Sequence, residues 1–316
     1  MALFGSKKPT PKTFVVLDIE TGSVGGVLVH RTPGEAPRLF GETRVDLAIG
    51  TTRDAHTLRE RAAHALERVA QSLSHVAARV RGNEATAHMG NASHAVAFLA
   101  APWGTPNLES GAPQFSADMV GSVQSALAST FAVPLSVHAR ASATLHGARL
   151  LFPYEENYII GMPHGEVSEV LEIVGGNARS HGTLPVGRNT MVRTFMSHGG
   201  LHENEGRSAL KALSLGHVPA HLSEPVRHTY EHVATHFNDL ATSHGWHEHG
   251  RVYSFAHDGD WFARALAHSS AAKKFPDGAV VTAIRAEHFS PYVAGHAQVP
   301  DLGLMLGGLF VDSHYR

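Results

Sequence analysis

The stretch VVLDIETGSVGGVLV, residues 15–29, decides how the chain is read. Two apolar runs flank a polar centre made of Asp18, Glu20, Thr21, Gly22 and Ser23, with Gly25 and Gly26 close behind. Short runs of β-branched and aliphatic residues around a Thr-Gly-Ser turn predict strand, turn, strand. An ordinary hairpin does not need so many acids, hydroxyls and glycines in six positions. A hairpin whose turn holds a phosphate does: its backbone N–H groups and short hydroxyls form an anion-binding concavity, and glycines let the ligand approach the main chain.

The rest of the chain bounds the possibilities. With 316 residues, 43% hydrophobic and 17% charged, it has the composition of a globular protein with an ample core. A formal net charge of −2 gives no electrostatic case for a nucleic acid partner. Cysteine is absent, which excludes disulfides, thiolate metal sites and thiol catalysis. No stretch approaches the roughly 18 uninterrupted apolar residues of a membrane span. Residues 1–12, with Lys7, Lys8 and Lys12, read as a flexible leader, with peripheral membrane contact at most.

Working outward, PRLFGETRVDL supplies a third strand. Apolar residues at 58, 62, 65, 66, 69, 73, 76 and 80 then mark a helix that Asp54 is placed to cap. HAVAFLAAPW reads as a buried strand, GTPNLESGAPQ as a loop, residues 116–131 as a helix, LSVHA as a strand and residues 140–152 as a helix. After Pro153 the pattern restarts: three strands at NYIIGM, VSEVLEIV and ARSHGTLPV, then helices near 188–198, 204–214 and 223–243. RVYSFA, DWFARALAH, AVVTAI and LGLMLGGLFVD close the chain as strand, helix, strand and helix. The architecture predicted is two similar α/β halves, residues 13–153 and 154–316, around a central cleft.

On these stretches the chain resembles the actin-like ATPase superfamily, of ribonuclease H-like duplicated fold, and in particular its FtsA- and PilM-like members. LDIETGSVGGVLV resembles the first phosphate turn, and HGEVSEVLEIVGGNARSHGTLPVGRNTMVRTF the second, with its strand pair and the entry to the next helix. RVYSFAHDGDWFARAL stands where the adenosine turn belongs, and PDLGLMLGGLFVD matches the closing helix. The resemblance implies ATP or ADP with Mg²⁺. It places Asp18 at the metal and Asp18, Glu20, Thr21, Gly22, Ser23, Gly165, Glu166, Ser168, Gly187, Asn189, Lys211 and Gly259 around the nucleotide. It also implies protein partners in an envelope or division assembly, self-association, and a place in the cytoplasm or at the inner face of the membrane.

The departures point against hydrolysis. Glu20 stands in the usual Gly position of the first turn, Met162 in that of the second turn's Asp, and His164 in that of a Gly. The adenosine turn reads Ala256, His257, Asp258, Gly259 instead of three glycines, and Ser208 replaces the Glu that accompanies Lys211. The first half has only about 30 residues where FtsA and PilM carry an extra subdomain. The expectation is a scaffold or assembly protein with a degenerate nucleotide site and little or no ATPase activity. An active ATPase whose nucleotide state governs polymerisation or partner binding is the rival.

A third reading comes from the 25 histidines. His228, His232 and His236 recur every fourth residue on one helix, so they share a face that could hold a metal. The apolar stripe of that helix is Val226, Tyr230, Val233, Phe237 and Leu240, about 120° away. The row therefore faces solvent or a groove.

Overall fold

The computed structural model describes residues 10–50, 54–108, 112–246, 250–256, 259–269, 280–294 and 301–315. Most of the leader, and His257 and Asp258 of the adenosine turn, lie outside the described residues.

The first half opens with a meander of β1 (Lys12–Glu20), β2 (Ser23–Arg31) and β3 (Arg38–Asp46). Helix α1 (Ala55–Arg81) follows, and the Asp54 side chain accepts from the Thr57 N–H at 2.9 Å, the predicted cap. Then come β4 (Ala92–Leu99), β5 (Gly104–Thr105), β6 (Gln114–Phe115), α2 (Ala117–Ala128), β7 (Leu135–Ala139) and α3 (Arg140–Leu151). The segment read as a loop carries one short antiparallel pairing, β5 with β6.

The second half repeats the plan with β8 (Tyr158–Pro163), β9 (Ser168–Val174) and β10 (Asn177–Leu184). Helices α4 (Arg188–Gly199), α5 (Glu203–Ser214) and α6 (Ser223–His244) follow, then β11 (Arg251–Phe255), α7 (Trp261–Ala267), β12 (Val280–Ile284) and α8 (Leu302–His314). Sheet orders are β3-β2-β1-β4-β7 and β10-β9-β8-β11-β12, the same order of first, second and third strands with two parallel additions. The duplication predicted from the restart after Pro153 is therefore present at the level of topology.

Strand period two decides which residues face which core. On β1, Val15, Leu17 and Ile19 pack under α1 and α2, while Phe14 and Val16 face the other way. That second face meets Tyr158, Ile160 and Met162 of β8, Leu171 and Ile173 of β9, and the apolar α8. Helix α8 lies against the first sheet although it ends the second half: Gly307 sits where a Cβ would meet Val16 and Phe98. No helix among the described residues is long and apolar enough to cross a membrane.

This parity has a consequence for the polar residues. Asp18 and Glu20 continue the inward face of β1, His164 continues that of β8, and Glu169 shares that of β9. Four ionisable groups are thus pointed into the junction between the halves.

Candidate functional site

The two turns face each other, as the resemblance implies, and they touch. A Cβ built on Gly165 would stand 2.2 Å from Gly22 N and 2.3 Å from Gly22 Cα. Thr21 Oγ1 accepts from the Glu166 N–H at 2.8 Å, binding one turn to the other. Gly187 is pressed on the same turn, where a Cβ would lie 2.4 Å from Gly165 O. The N-terminus of α4 would ordinarily offer free N–H groups to an anion. Here the Arg188 N–H donates to His164 O at 2.8 Å and the Asn189 N–H to Gly165 O at 2.9 Å.

The carboxylates of the first turn are occupied by the chain's own cations. Glu20 is 2% exposed; its Oε1 is 2.6 Å from Arg188 Nη2 and accepts from Ser23 Oγ at 2.6 Å. Asp18, 1% exposed, accepts from Arg44 Nη2 at 2.7 Å and has Arg140 Nη1 at 3.3 Å. Arg44 also donates to Ser23 Oγ at 2.7 Å and to Asp301, whose side chain caps α8 at the Leu304 N–H. Asp18, which the resemblance places at a metal, therefore anchors the closing helix through Arg44.

Across the junction His164 is fully buried, its Nε2 2.7 Å from Glu169 Oε2 and its Nδ1 3.6 Å from Glu20 Oε2. Glu169 accepts further bonds from His181 Nε2 at 3.0 Å and from the Ala101 N–H at 3.1 Å. Burial by itself would raise the carboxyls and lower the imidazole. Arg188, His164 and Arg140 override it for Glu20, which is held well below the usual range. His164 and His181 bring Glu169 down to about 2. Glu169 and Glu20 hold His164 above its ordinary value. Between the halves, then, the His164 imidazole stands between two carboxylates, both of which favour its protonated form.

A strap closes the remaining side. Residues 46–50, between β3 and α1, bond to the second half at Arg207 Nη2 to Leu47 O, 2.8 Å, and the Ile49 N–H to Glu203 Oε2, 3.1 Å. Asp46 lies 3.6 Å from both Arg188 and Arg207. Glu166 is held by Arg193 and Asn189 at 2.7–2.8 Å.

Of the twelve residues assigned to the nucleotide, Asp18, Glu20, Thr21, Gly22, Ser23, Gly165, Glu166, Gly187 and Asn189 come together in this junction. Ser168 donates to Val186 O at 2.7 Å inside the second half. Lys211 is exposed on α5, and Gly259 is pressed on Ser214 of the same helix, where a Cβ would stand 2.3 Å from its Cβ. Sequence reasoning missed the counter-charges Arg44, Arg140, Arg188, Glu169 and His181. Register carried a signal for one of them: Arg44 is opposite Gly25, where a Cβ would strike its guanidinium at 2.6 Å. Gly25 therefore makes room for an internal cation, and Gly26 for Val69 and Leu73 of α1.

The tight contact of the turns is testable. Gly165→Ala should lose about 1–3 kcal/mol in denaturant unfolding, as overpacking does, because the backbone of Gly22 cannot move aside without parting the halves. Gly121→Ala, on α2 with nothing within 4 Å of its Cβ, is the matched control and should be neutral or stabilising. Equal effects of the two changes would contradict the contact.

No protein-family model matches the sequence, and no curated protein matches it. Similarity appears among solved structures. A chain of the PilM-PilN type IV pilus biogenesis complex superposes with a TM-score of 0.61 at 11% identity, over 94% of this chain and 98% of that one. The ethanolamine utilization protein EutJ from Carboxydothermus hydrogenoformans gives 0.52 at 16% identity, over 97% and 90%. A ROK family glucokinase from Streptomyces griseus, solved with glucose and AMPPNP, gives 0.52 at 12%, over 95% and 98%. Likeness over nearly the whole chain at such identities establishes the fold: this is an actin-like ATPase fold, shared with PilM.

Proposed function

We propose that this protein is an actin-like scaffold or assembly factor that works without nucleotide, its phosphate position being taken by its own carboxylates. One observation carries the reading: the Glu20 carboxylate, in the turn that the resemblance assigns to a phosphate, is clasped by Arg188 and Ser23 and faces His164. Each device by which such a turn holds phosphate has an internal counterpart. The carboxylate takes the cations, the turn carbonyls take the N–H groups of α4, and Gly22 against Gly165 takes the space. Ion pairs join the two halves at the position the resemblance gives to a nucleotide.

A scaffold acts through surfaces, so its partners are proteins. The similarity to a chain of the PilM-PilN complex favours an assembly at the cell envelope, with this protein in the cytoplasm or at the inner face of the membrane. The reduced segment of the first half implies that the partner is met differently from those of FtsA and PilM. Mg²⁺ would have to displace Arg44 and Arg140 from Asp18 before binding there, and no step of the proposed role requires it.

Calorimetric titration with Mg-ATP and Mg-ADP tests the reading. Binding should be no tighter than roughly millimolar, about −4 kcal/mol, and the melting temperature should not move. Glu20→Gly leaves Arg188 and His164 facing the space the carboxylate filled. Inorganic phosphate, small enough for the space of one carboxylate, should then raise the melting temperature of the variant while leaving the parent unchanged. Micromolar binding to the parent with steady turnover would overturn the proposal in favour of a working ATPase.

A further inference from the structure

The histidine row on α6 is outside the junction and has a geometry of its own. As the apolar stripe predicts, Val226, Tyr230, Val233 and Phe237 are buried and His228 and His232 are exposed. Among the described residues no group of three or more His, Cys, Asp or Glu is placed to hold a metal. The three histidines do not act as a unit: His228 turns toward Glu224 and Glu231, with its ring nitrogens 3.6 and 3.4 Å from their carboxylates.

His232 and His236 converge instead. Their Nε2 atoms are 2.8 Å apart, ring centroids 4.5 Å apart. Without a metal one ring donates an N–H to the other. The same spacing is also the bite of a chelate. Two imidazole nitrogens each about 2.0–2.1 Å from one ion stand about 2.9 Å apart when they subtend a right angle. At a tetrahedral angle they would need about 3.4 Å. Right-angled nitrogen pairs belong to the square-planar and tetragonal sites of Cu²⁺ and Ni²⁺, whereas tetrahedral sites belong to Zn²⁺.

We infer that His232 and His236 form a two-point clamp for a divalent transition metal of tetragonal preference, Cu²⁺ or Ni²⁺, with water completing the coordination. Other features agree with it. The clamp is on a helix whose opposite face is locked in the core, so both rings are held by one rigid backbone. His232 opens onto a groove of about 410 Å³ between α4 and α6, lined also by Thr194, His198 and Glu224, which leaves the outer positions of an ion accessible.

The test is titration of the full chain with CuSO₄, NiCl₂ and ZnCl₂, read by calorimetry and, for Cu²⁺, by electron paramagnetic resonance. With 25 histidines in the chain, the readout is the difference between the parent and His232→Gln, His236→Gln and His228→Gln. The parent should show one Cu²⁺ site with an axial spectrum and two equivalent nitrogens. Either clamp substitution should weaken that site by roughly 100-fold, the loss expected when a linked second ligand is removed; His228→Gln should leave it intact. The thermal midpoints of the metal-free variants should match that of the parent, which separates ligation from folding. Copper binding indifferent to both clamp substitutions would overturn the inference, as would a site that prefers Zn²⁺ or one that needs His228.

Discussion

Arg188→Met unfolds at a much lower denaturant concentration than the parent, with about 3–5 kcal/mol lost, the cost of leaving one partner of a buried ion pair uncompensated. Glu20 is the group left behind. Its carboxylate is 2% exposed and keeps its charge through Arg188 first, with His164 and Arg140 behind it. Without the guanidinium, 2.6 Å away, the carboxylate must take up a proton or draw water into the junction. Arg188 also lies 3.6 Å from Asp46 of the strap, so its removal loosens the second closure as well. The double variant Glu20→Gln, Arg188→Met should recover most of the loss, because a buried pair replaced by neutral groups of similar size costs little. That recovery separates a charge effect from lost packing. A single variant within about 1 kcal/mol of the parent, the range of exposed pairs, would mean that the junction is wet and that the pair does not hold the halves together.

Much of this was legible in the sequence, for physical reasons that differ by element. Strands β1 and β2 announce themselves because both faces are buried, so their apolar runs are nearly continuous. Helix α1 shows its cap and its 3.6-residue period together. The duplication follows from a strand meander recurring after Pro153. At the site, the sequence located the turns but not the internal partners of their side chains. Glu20 reads as an obstacle to phosphate when only its own turn is considered. Its cation is Arg188, 168 positions away, and pairing across such a separation leaves no periodic trace. His164 reads as a lost glycine, although its parity with Met162 and Ile160 places it inward. The same parity places Glu169 inward with Leu171. Reading charge along with hydrophobicity at inward positions would have brought Glu20, His164 and Glu169 to one junction before any coordinates were known.

The pH dependence of stability follows from that trio. Glu169 is held at about 2 against an ordinary 4.5. A depressed carboxyl contributes stability fully above its unfolded value and loses it as pH falls toward its folded one. Glu169 alone should thus remove about 3 kcal/mol between pH 4.5 and 2, at 1.36 kcal/mol for each unit of difference. Glu20, also depressed, adds to the same limb. Burial also depresses His30, His94, His138 and His146, which start a shallower acid loss below 6.5 because the unfolded chain binds their protons first. His164 has the opposite sign. Its folded value is raised, so its contribution is complete below 6.5 and is lost as pH climbs through that folded value. Maximum stability should therefore be near neutrality, with a steep acid side and a separate alkaline decline. His164→Gln isolates the mechanism. It should flatten the alkaline decline, and it should move the acid limb upward in pH, because Glu20 and Glu169 each lose a cation that lowers them. Urea unfolding at pH values from 3 to 9 measures both changes. An alkaline side unchanged by the substitution would show that His164 is neutral when folded, and that the halves are held by Arg188 without it.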